Sequence, residues 1–505
     1  MSINLASLKQ DQNEEEKKLV IEENGVLFTL NEIFESLDKD EEGDAHLFIK
    51  IHKKRFAFDD SEGVWYVFNG HCWERDKLNQ VLAAVDRVAE VYSKAISKVE
   101  ELEKAPPWPH DRWGIGRLKD RISRLNTLGR KRNILELAKA GGDSLGISGD
   151  EWDADPWKLG CPNGVIDLRD GSFSEGKPED YIKTAAPTPW EGMDAPRELF
   201  KETLSQIFDG DHKQIDFFQR LMGYAITGLS IEHIFPIIYG RGRNGKDTLF
   251  EIFKMVLGDL VGPIQPEMLV KESFVRSASS HSSDILSLRG KRLVWASETN
   301  DGWQLNAGKV KWLTGGGTLT GRAPYAKSGT SFSPTHTVFS LTNNKPQAPA
   351  SDYALWKRII LIPLNISFVD NPKEEYERQR HPYLIDKLQK EAPGILAWLV
   401  KGTLEWQKHG LTVPAKVEMS TEEYRRDEDI IGHFLEDCCI LEDNAETKAQ
   451  HLYQAYAKYC TEAGHSPLDI TRFGGDMKKR VNAQRKTKGV YYKRLKVKEG
   501  LMRKG

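Results

Sequence analysis

A strand-like run, Ile234-Phe235-Pro236-Ile237-Ile238-Tyr239, leads into Gly240-Arg241-Gly242-Arg243-Asn244-Gly245-Lys246-Asp247-Thr248. A helix-period pattern follows at Leu249, Phe250, Ile252, Phe253, Val256 and Leu257. Strand, glycine-rich loop, lysine and helix make a phosphate cradle, and Gly240, Gly242, Asn244, Gly245 and Lys246 are its candidate residues. The glycines let backbone N–H groups curl around phosphate oxygens, the helix N-terminus adds partial positive charge, and the lysine reaches the β- and γ-phosphates. The chemistry implied is binding and hydrolysis of a nucleoside triphosphate. Such loops place a Ser or Thr hydroxyl on Mg²⁺ directly after the lysine. Asp247 stands there instead, with Thr248 one residue later. A carboxylate is a good hard-oxygen ligand for Mg²⁺, so Asp247 and Thr248 are the metal candidates and ATP with Mg²⁺ the expected cofactors.

Three later segments complete such a site. Arg292-Leu293-Val294-Trp295-Ala296-Ser297-Glu298 is an apolar strand ending in an acid, which can align and deprotonate an attacking water. An ordinary core strand ending in a solvated glutamate fits the same pattern. Where a second acid often precedes such a glutamate, Ser297 stands, and Asp247 can supply the missing charge. The β-rich run Thr335–Thr342 ends in Asn343-Asn344-Lys345-Pro346, where an Asn can hold the lytic water or simply make a turn. Arg358, just before Ile359-Ile360-Leu361-Ile362-Pro363, reads either as an arginine finger reaching a neighbouring subunit's nucleotide or as a surface charge.

The order and spacing of these segments, with Lys309-Val310-Lys311-Trp312-Leu313-Thr314-Gly315-Gly316-Gly317 between them, resemble the superfamily 3 helicases, a branch of the AAA+ ATPases. The likeness is greatest to the helicase half of phage and plasmid primase–helicases and of the poxvirus primase–helicase. The resemblance implies a P-loop role for Lys246, a general base at Glu298, a sensor at Asn343 and a finger at Arg358. It also implies that the block from Lys309 to Phe332 leads into a hairpin lining a central DNA channel. Arg322–Phe332, with strand-like flanks around Ala326-Lys327-Ser328-Gly329, suits that place, Lys327 neutralising a phosphate and Tyr325 stacking on a base as DNA-binding residues; an outer surface hairpin has the same pattern. Gly317 stands where the family usually carries an acid. Val64–Glu74 and Cys161–Gly171 look like the domain that precedes this helicase, and Thr421 onward resembles its C-terminal winged-helix-like domain.

Length and composition agree with a chain of about three domains. The 505 residues are 39% hydrophobic and 29% charged, with no run long and apolar enough for a membrane span and no secretory signal. A cytoplasmic location in a bacterial host is expected. The five cysteines, Cys72, Cys161, Cys438, Cys439 and Cys460, form no C-x-x-C pair, which argues against a zinc-binding primase module. Asp153-Ala154-Asp155 pairs two carboxylates before residue 190, but Pro156 marks it as a loop. Priming is therefore expected from a separate primase. Net charge is only −3, but it is polarised: residues 1–45 carry thirteen acids against four lysines, and residues 472–505 carry thirteen cations against two acids. The basic end, with Tyr491 and Tyr492, has the composition expected for phosphate-backbone contact; a solvated tail has the same composition.

The expected architecture is α/β: an AAA+ P-loop core with an α+β N-terminal domain, a helical collar and a C-terminal winged-helix-like domain. The expected boundaries are an acidic flexible arm at 1–45, the N-terminal domain at 46–192, the collar at 193–232 and the ATPase at 233–370. A helical connection at 371–420 and the basic C-terminal domain at 421–505 complete the chain. The expected function is that of an ATP-dependent replicative helicase of a phage or mobile element, a homo-hexameric ring on single-stranded and forked DNA. An origin-binding or remodelling ATPase without processive unwinding is the alternative.

Overall fold

The computed structural model describes residues 20–103, 114–271, 281–297, 303–322, 329–487 and 489–498 of a mixed α/β chain. It divides into two compact units, Met1–Trp190 and Glu191–Gly505. Among the described residues no helix is long and apolar enough to cross a membrane.

In the first unit, β1 (Val20–Glu23) and β2 (Val26–Thr29) form a hairpin. Thr29 caps α1 (Leu30–Asp38), its hydroxyl accepting the Glu32 N–H at 3.2 Å. The hairpin and α1 share one apolar core with α2 (Asp40–His52), α3 (Asp86–Glu103), α4 (Ile115–Leu125) and α5 (Leu128–Ala138). The flexible arm expected over 1–45 is therefore folded from Val20 onward, because Ile21, Phe28, Leu30, Ile33 and Leu37 are buried. One of its acids is used internally. The fully buried Asp44 carboxylate accepts hydrogen bonds from Arg121 Nη1 at 2.8 Å, Arg130 Nη2 at 2.6 Å and the Tyr92 hydroxyl at 2.8 Å. A buried carboxylate is tolerated when its lone pairs are met this way.

The same unit carries a four-stranded sheet ordered β5-β4-β3-β6, from β3 (Phe56–Asp59), β4 (Val64–Phe68), β5 (Trp73–Arg75) and β6 (Gly146–Ile147). The β4–β5 hairpin turns at Asn69-Gly70 as its sequence predicts, with Asn69 Oδ1 accepting the His71 and Cys72 N–H groups at 2.9 Å. A meander of β7 (Lys158–Cys161), β8 (Gly164–Asp167) and β9 (Ser172–Ser174) follows.

The second unit opens with α6 (Glu198–Ile207) and α7 (His212–Ala225), where collar helices are expected. Its centre is a five-stranded, all-parallel sheet of β10 (Phe235–Tyr239), β11 (Val261–Pro263), β12 (Leu293–Ser297), β15 (Thr337–Thr342) and β16 (Ile359–Pro363). The strand order is β11-β12-β15-β10-β16. Alternate residues face opposite layers. Phe235, Ile237, Val294, Ala296 and Val338 enter one core, while Trp295 and Phe339 meet Phe250 of α8 (Lys246–Leu257) at ring distances of 5.4 and 5.3 Å. Between β12 and β15 lie α9 (Ala307–Leu313) and a pair of strands, β13 (Leu319–Gly321) and β14 (Thr330–Phe332); the second falls within the hairpin expected at 322–332, whereas the first ends just before Arg322. A short α10 (Tyr353–Trp356) precedes β16, and β17 (Ser367–Val369) pairs with β18 (Glu377–Gln379) after it.

Two helices brace this core. The first, α11 (Ala392–His409), crosses α7 so closely that Gly223 and Gly402 meet backbone to backbone. The Thr403 hydroxyl donates to Gly223 O at 2.7 Å. The second, α12 (Ala415–Asp427), lies on β16, with Thr421 Oγ1 accepting the Leu361 N–H at 2.9 Å and Tyr424 fully buried against Trp356. The boundary expected at 421 consequently falls after this helix. The last elements are α13 (Ile430–Cys438), β19 (Cys439–Lys448), α14 (Ala449–Glu462), α15 (Ile470–Arg480), β20 (Ala483–Lys486) and β21 (Gly489–Val497). Their three strands form a sheet ordered β19-β21-β20 and share a separate core around Phe434, Tyr456 and Phe473.

The α7–α11 crossing gives a stability test. A Cβ at Gly402 would lie 2.1 Å from Gln219 O, a backbone atom that cannot swing away. Gly402→Ala is expected to destabilise the second unit by about 1–3 kcal/mol, seen as a lower melting temperature by calorimetry. An unchanged melting temperature would show that the two helices separate freely.

Candidate functional site

Parallel register builds the site. Tyr239 pairs with Thr342 and Ser297 with Leu341, so the loop after β10 and the residue after β15 emerge side by side at the carboxyl ends of the strands. This is where parallel α/β sheets bind ligands. The Gly240 N–H points to Thr342 O at 3.4 Å, and Asn343 is the next residue along. Its side-chain oxygen accepts a hydrogen bond from Lys246 Nζ at 2.5 Å. The structure thus brings Lys246 and Asn343 together across 97 residues of sequence.

The loop is shaped for close backbone approach. A side chain at Gly240 would collide with Leu364 O at 2.2 Å, whereas at Gly242 it would meet nothing within 4 Å. Gly245 adopts φ +83° immediately before α8, a conformation that favours glycine. Asn244 is buried. Its Oδ1 accepts the Lys246 N–H at 3.3 Å, while its Nδ2 donor has no partner among the described residues. Lys246 is also buried, and besides Asn343 its ammonium has Asp247 Oδ2 at 3.8 Å. An unmatched amide donor and a buried ammonium lie two residues apart at the first turn of a 12-residue helix. That donor set fits phosphate oxygens and suits no cation.

The metal candidates Asp247 and Thr248 occupy the first turn of α8. The Asp247 side chain is 64% exposed, free to turn toward a cation. Among the described residues no group of three or more His, Cys, Asp or Glu side chains could hold a metal ion. A Mg²⁺ here would therefore depend on water and phosphate for most of its shell, as Mg²⁺ commonly does. Beside Gly245 and Thr248 opens a cavity of about 570 Å³, walled by Gln206 and Ile207 of α6, Phe368 of β17, and Arg380, His381 and Ile385. Local motifs carry no signal for this wall, because its parts lie 40 residues before the loop and more than 100 after it.

Arg358 is placed elsewhere. It precedes β16, whose first residue pairs with Phe235 and whose last pairs with Tyr239, so it sits at the opposite end of the sheet from the loop. At ~3.3 Å per residue that end is about 16 Å away. Arg358 Nη1 donates to Ala354 O at 2.8 Å, and its buried Nε has no partner among the described residues. The expected base Glu298 and the expected DNA-contacting Tyr325 and Lys327 lie outside the described residues, Glu298 directly after the last residue of β12.

Two other sequence expectations take definite form. Asp153 accepts the Lys183 and Thr184 N–H groups, and Asp155 accepts the Trp157 N–H and pairs with Arg169 at 3.1 Å. Both carboxylates hold loops together. Among the described residues several cations of the basic end are paired from within: Glu446 pairs with Lys486 and Lys493, Asp429 with Arg480, Asp476 with Lys479, and Asp443 with Arg494. Exposed Lys478 and Arg485 have no ion pair among the described residues.

If the cradle holds phosphate, Lys246→Ala will weaken triphosphate binding by calorimetric titration at least about tenfold, the loss of one charged hydrogen bond. It will leave the melting temperature nearly unchanged, because the lysine's one acceptor is a side chain free to find water. Equal affinity in the variant would remove the loop from phosphate binding.

Comparison with known proteins matches both ends of the chain to one kind of protein. Residues 45–209 match the "D5 N terminal like" family, and residues 426–504 match the "Poxvirus D5 protein-like" family. A protein of Acanthamoeba polyphaga mimivirus, named as a candidate helicase, is 28% identical over 418 residues, covering 78% of this chain and 42% of that protein. One from Invertebrate iridescent virus 3, also named as a candidate helicase, is 23% identical, covering 80% of this chain and 48% of its own length. One from African swine fever virus, named as a candidate primase, is 24% identical, covering 61% and 33%. The chain spans less than half the length of these curated relatives. Among solved structures, the apo NrS-1 C-terminal region aligns over 87% of this chain and 96% of that one, at 13% identity and a TM-score of 0.41. At its two ends the chain is thus similar to poxvirus D5-type proteins, and its relatives carry helicase and primase names in large DNA viruses.

Proposed function

We propose that this chain is the motor portion of a viral or mobile-element replication helicase, a superfamily 3 AAA+ ATPase acting on DNA. The observation that carries the reading is the 2.5 Å contact of Lys246 with Asn343 at the carboxyl end of a parallel sheet. A cation that reaches the terminal phosphate then sits beside an amide that can hold the lytic water. In this reading ATP lays its phosphates on Gly240, Gly242, Asn244, Gly245 and Lys246, and its base enters the cavity between Ile207 and Phe368. Mg²⁺ is held by Asp247 and Thr248, and Glu298 is the base. Bound Mg²⁺ would neutralise developing charge on the phosphates, while the chain's own groups orient and protect them.

The position of Arg358 supports a ring. It stands about 16 Å from its own loop, too far for its side chain to serve that site, so a part in hydrolysis requires the loop of a second copy. A head-to-tail arrangement in which each copy completes its neighbour's site closes into a ring, and the proposed number is six. The order helix, strand, helix, helix and hairpin from α13 to β21 supports a winged-helix-like reading of the C-terminal end. Lys478 and Arg485 are its proposed phosphate contacts, with Tyr325 and Lys327 proposed on the channel hairpin. Priming is assigned to another protein or segment, since Asp153 and Asp155 are engaged in loop contacts.

Two experiments test the catalytic part. Arg358→Ala is expected to bind ATP normally yet lose hydrolysis by roughly 10³-fold, and mixing it with Lys246→Ala should restore activity at interfaces that keep one intact copy of each residue. Mixtures no more active than their components would remove the finger. If Asp247 ligates the metal, Asp247→Ala will raise the Mg²⁺ concentration needed for half-maximal turnover more than it raises the KM for ATP. An unchanged Mg²⁺ requirement would leave Thr248 and water as the protein-side shell.

A further inference from the structure

Beyond the loop, Asn343 is followed by a segment fastened at two points to a run of acids and at a third to Tyr424. Lys345 Nζ lies 3.1 Å from Asp427 Oδ2 and rests between two aromatic faces, 5.6 Å from the Tyr239 ring centroid and 5.7 Å from that of Tyr424. Tyr239 is the residue directly before Gly240. The Tyr424 hydroxyl donates to Pro346 O, and the Ala348 N–H donates to Glu428 Oε2 at 2.7 Å. The next acid points the other way. Asp429 caps α13 by accepting the Gly432 N–H at 3.0 Å, and it takes a two-pronged pair from Arg480, the last residue of α15, at 2.6 and 2.7 Å.

Three consecutive acids therefore grip three different things: the side chain two residues past Asn343, the backbone three residues further on, and the C-terminal core. We propose that Lys345 is a positioning residue for Asn343, and that Asp427-Glu428-Asp429 is the joint through which the nucleotide site and the α13–β21 core sense one another. The proposal rests on reading the Gly240–Lys246 loop as a triphosphate site.

The physical reason lies in what a bound phosphate would do. It competes with Asn343 for the Lys246 ammonium, so the strand end has two arrangements, one with that hydrogen bond and one without. Lys345 cannot follow such a shift freely, because it is held by Asp427 and by two rings. The half-buried Glu428, its carboxyl pushed up by burial, is likewise fixed on a backbone N–H. Packed, discretely bonded contacts of this kind pass a displacement on instead of absorbing it. Asp429 then hands it to α15 through Arg480. By linkage, a ligand on the C-terminal core must act back on nucleotide binding by the same factor.

The test uses the full chain with Mg²⁺ and a slowly hydrolysed ATP analogue. Nucleotide affinity is measured first by fluorescence titration, so failure of the loop reading is seen there directly. Hydrogen exchange of residues 430–498 is then compared with and without the analogue. In the wild type, bound nucleotide is expected to change exchange in α15 by about fivefold or more. Arg480→Gln should keep the nucleotide affinity and basal turnover but lose that response. Lys345→Met should lower kcat about tenfold while KM stays within about twofold, and Lys345→Arg should recover most of the loss, a split that general destabilisation does not produce. A wild type that binds nucleotide with no exchange response in 430–498 would overturn the proposal. So would an Arg480→Gln variant that responds like the wild type.

Discussion

The parallel pairing of β10 with β15 is the constraint on which the rest depends. Because Tyr239 stands opposite Thr342, the first residue of the glycine loop and Asn343 leave the sheet together, and Lys246 can meet an amide almost 100 positions away. A one-residue slip would reverse every side chain on one strand. It would put Phe339 into the layer that holds Phe235 and Ile237, and move Asn343 off the loop. The aromatic ridge of Phe250, Trp295 and Phe339 on one face and the Tyr424–Trp356 core on the other exclude that slip. The register that builds the site is therefore held by packing remote from it.

That packing also explains why α12 belongs to the core of the parallel sheet. Thr421 and Tyr424 fasten it to β16 and to Pro346, so the chain leaving the sheet comes back to the segment after Asn343 before it enters α13. The close crossing of α7 and α11 at Gly223 and Gly402 fixes the other side, where the α6 wall lies next to Gly245. The site is lined from three separated stretches of sequence held by one core.

What the sequence revealed follows from the range of the interactions. The strand, glycine-rich turn and helix over 235–257, the Asn69-Gly70 hairpin and the two helices between 198 and 225 were legible, because short-range periodicity and turn chemistry set each of them. The fate of charge was not legible. The acids at 40 and 44 read as part of a solvated arm, yet they close on Arg121 and Arg130 about 80 residues away, and four cations of the basic C-terminal run are matched by Asp429, Asp443 and Glu446. Net charge along a chain does not report which charges will be paired in the fold. The domain boundary at 421 failed for the same reason, since nothing local in Thr421–Arg425 says that Tyr424 is buried against Trp356. The contacts of Lys345 were hidden as well, although its place two residues after Asn343 and the three consecutive acids at 427–429 are visible in the sequence.

The central claim is that the Gly240–Lys246 loop holds the triphosphate of a nucleotide and that Asn343 exchanges the lysine for the phosphate. A structure of the full chain with Mg²⁺ and a non-hydrolysable ATP analogue tests it most directly. The account predicts phosphates within hydrogen-bond distance of the Gly242–Lys246 amides, the Asn244 Nδ2 and the Lys246 ammonium, with the Lys246–Asn343 contact opened. Nucleotide seated anywhere else, or an intact Lys246–Asn343 bond beside a bound triphosphate, would contradict it.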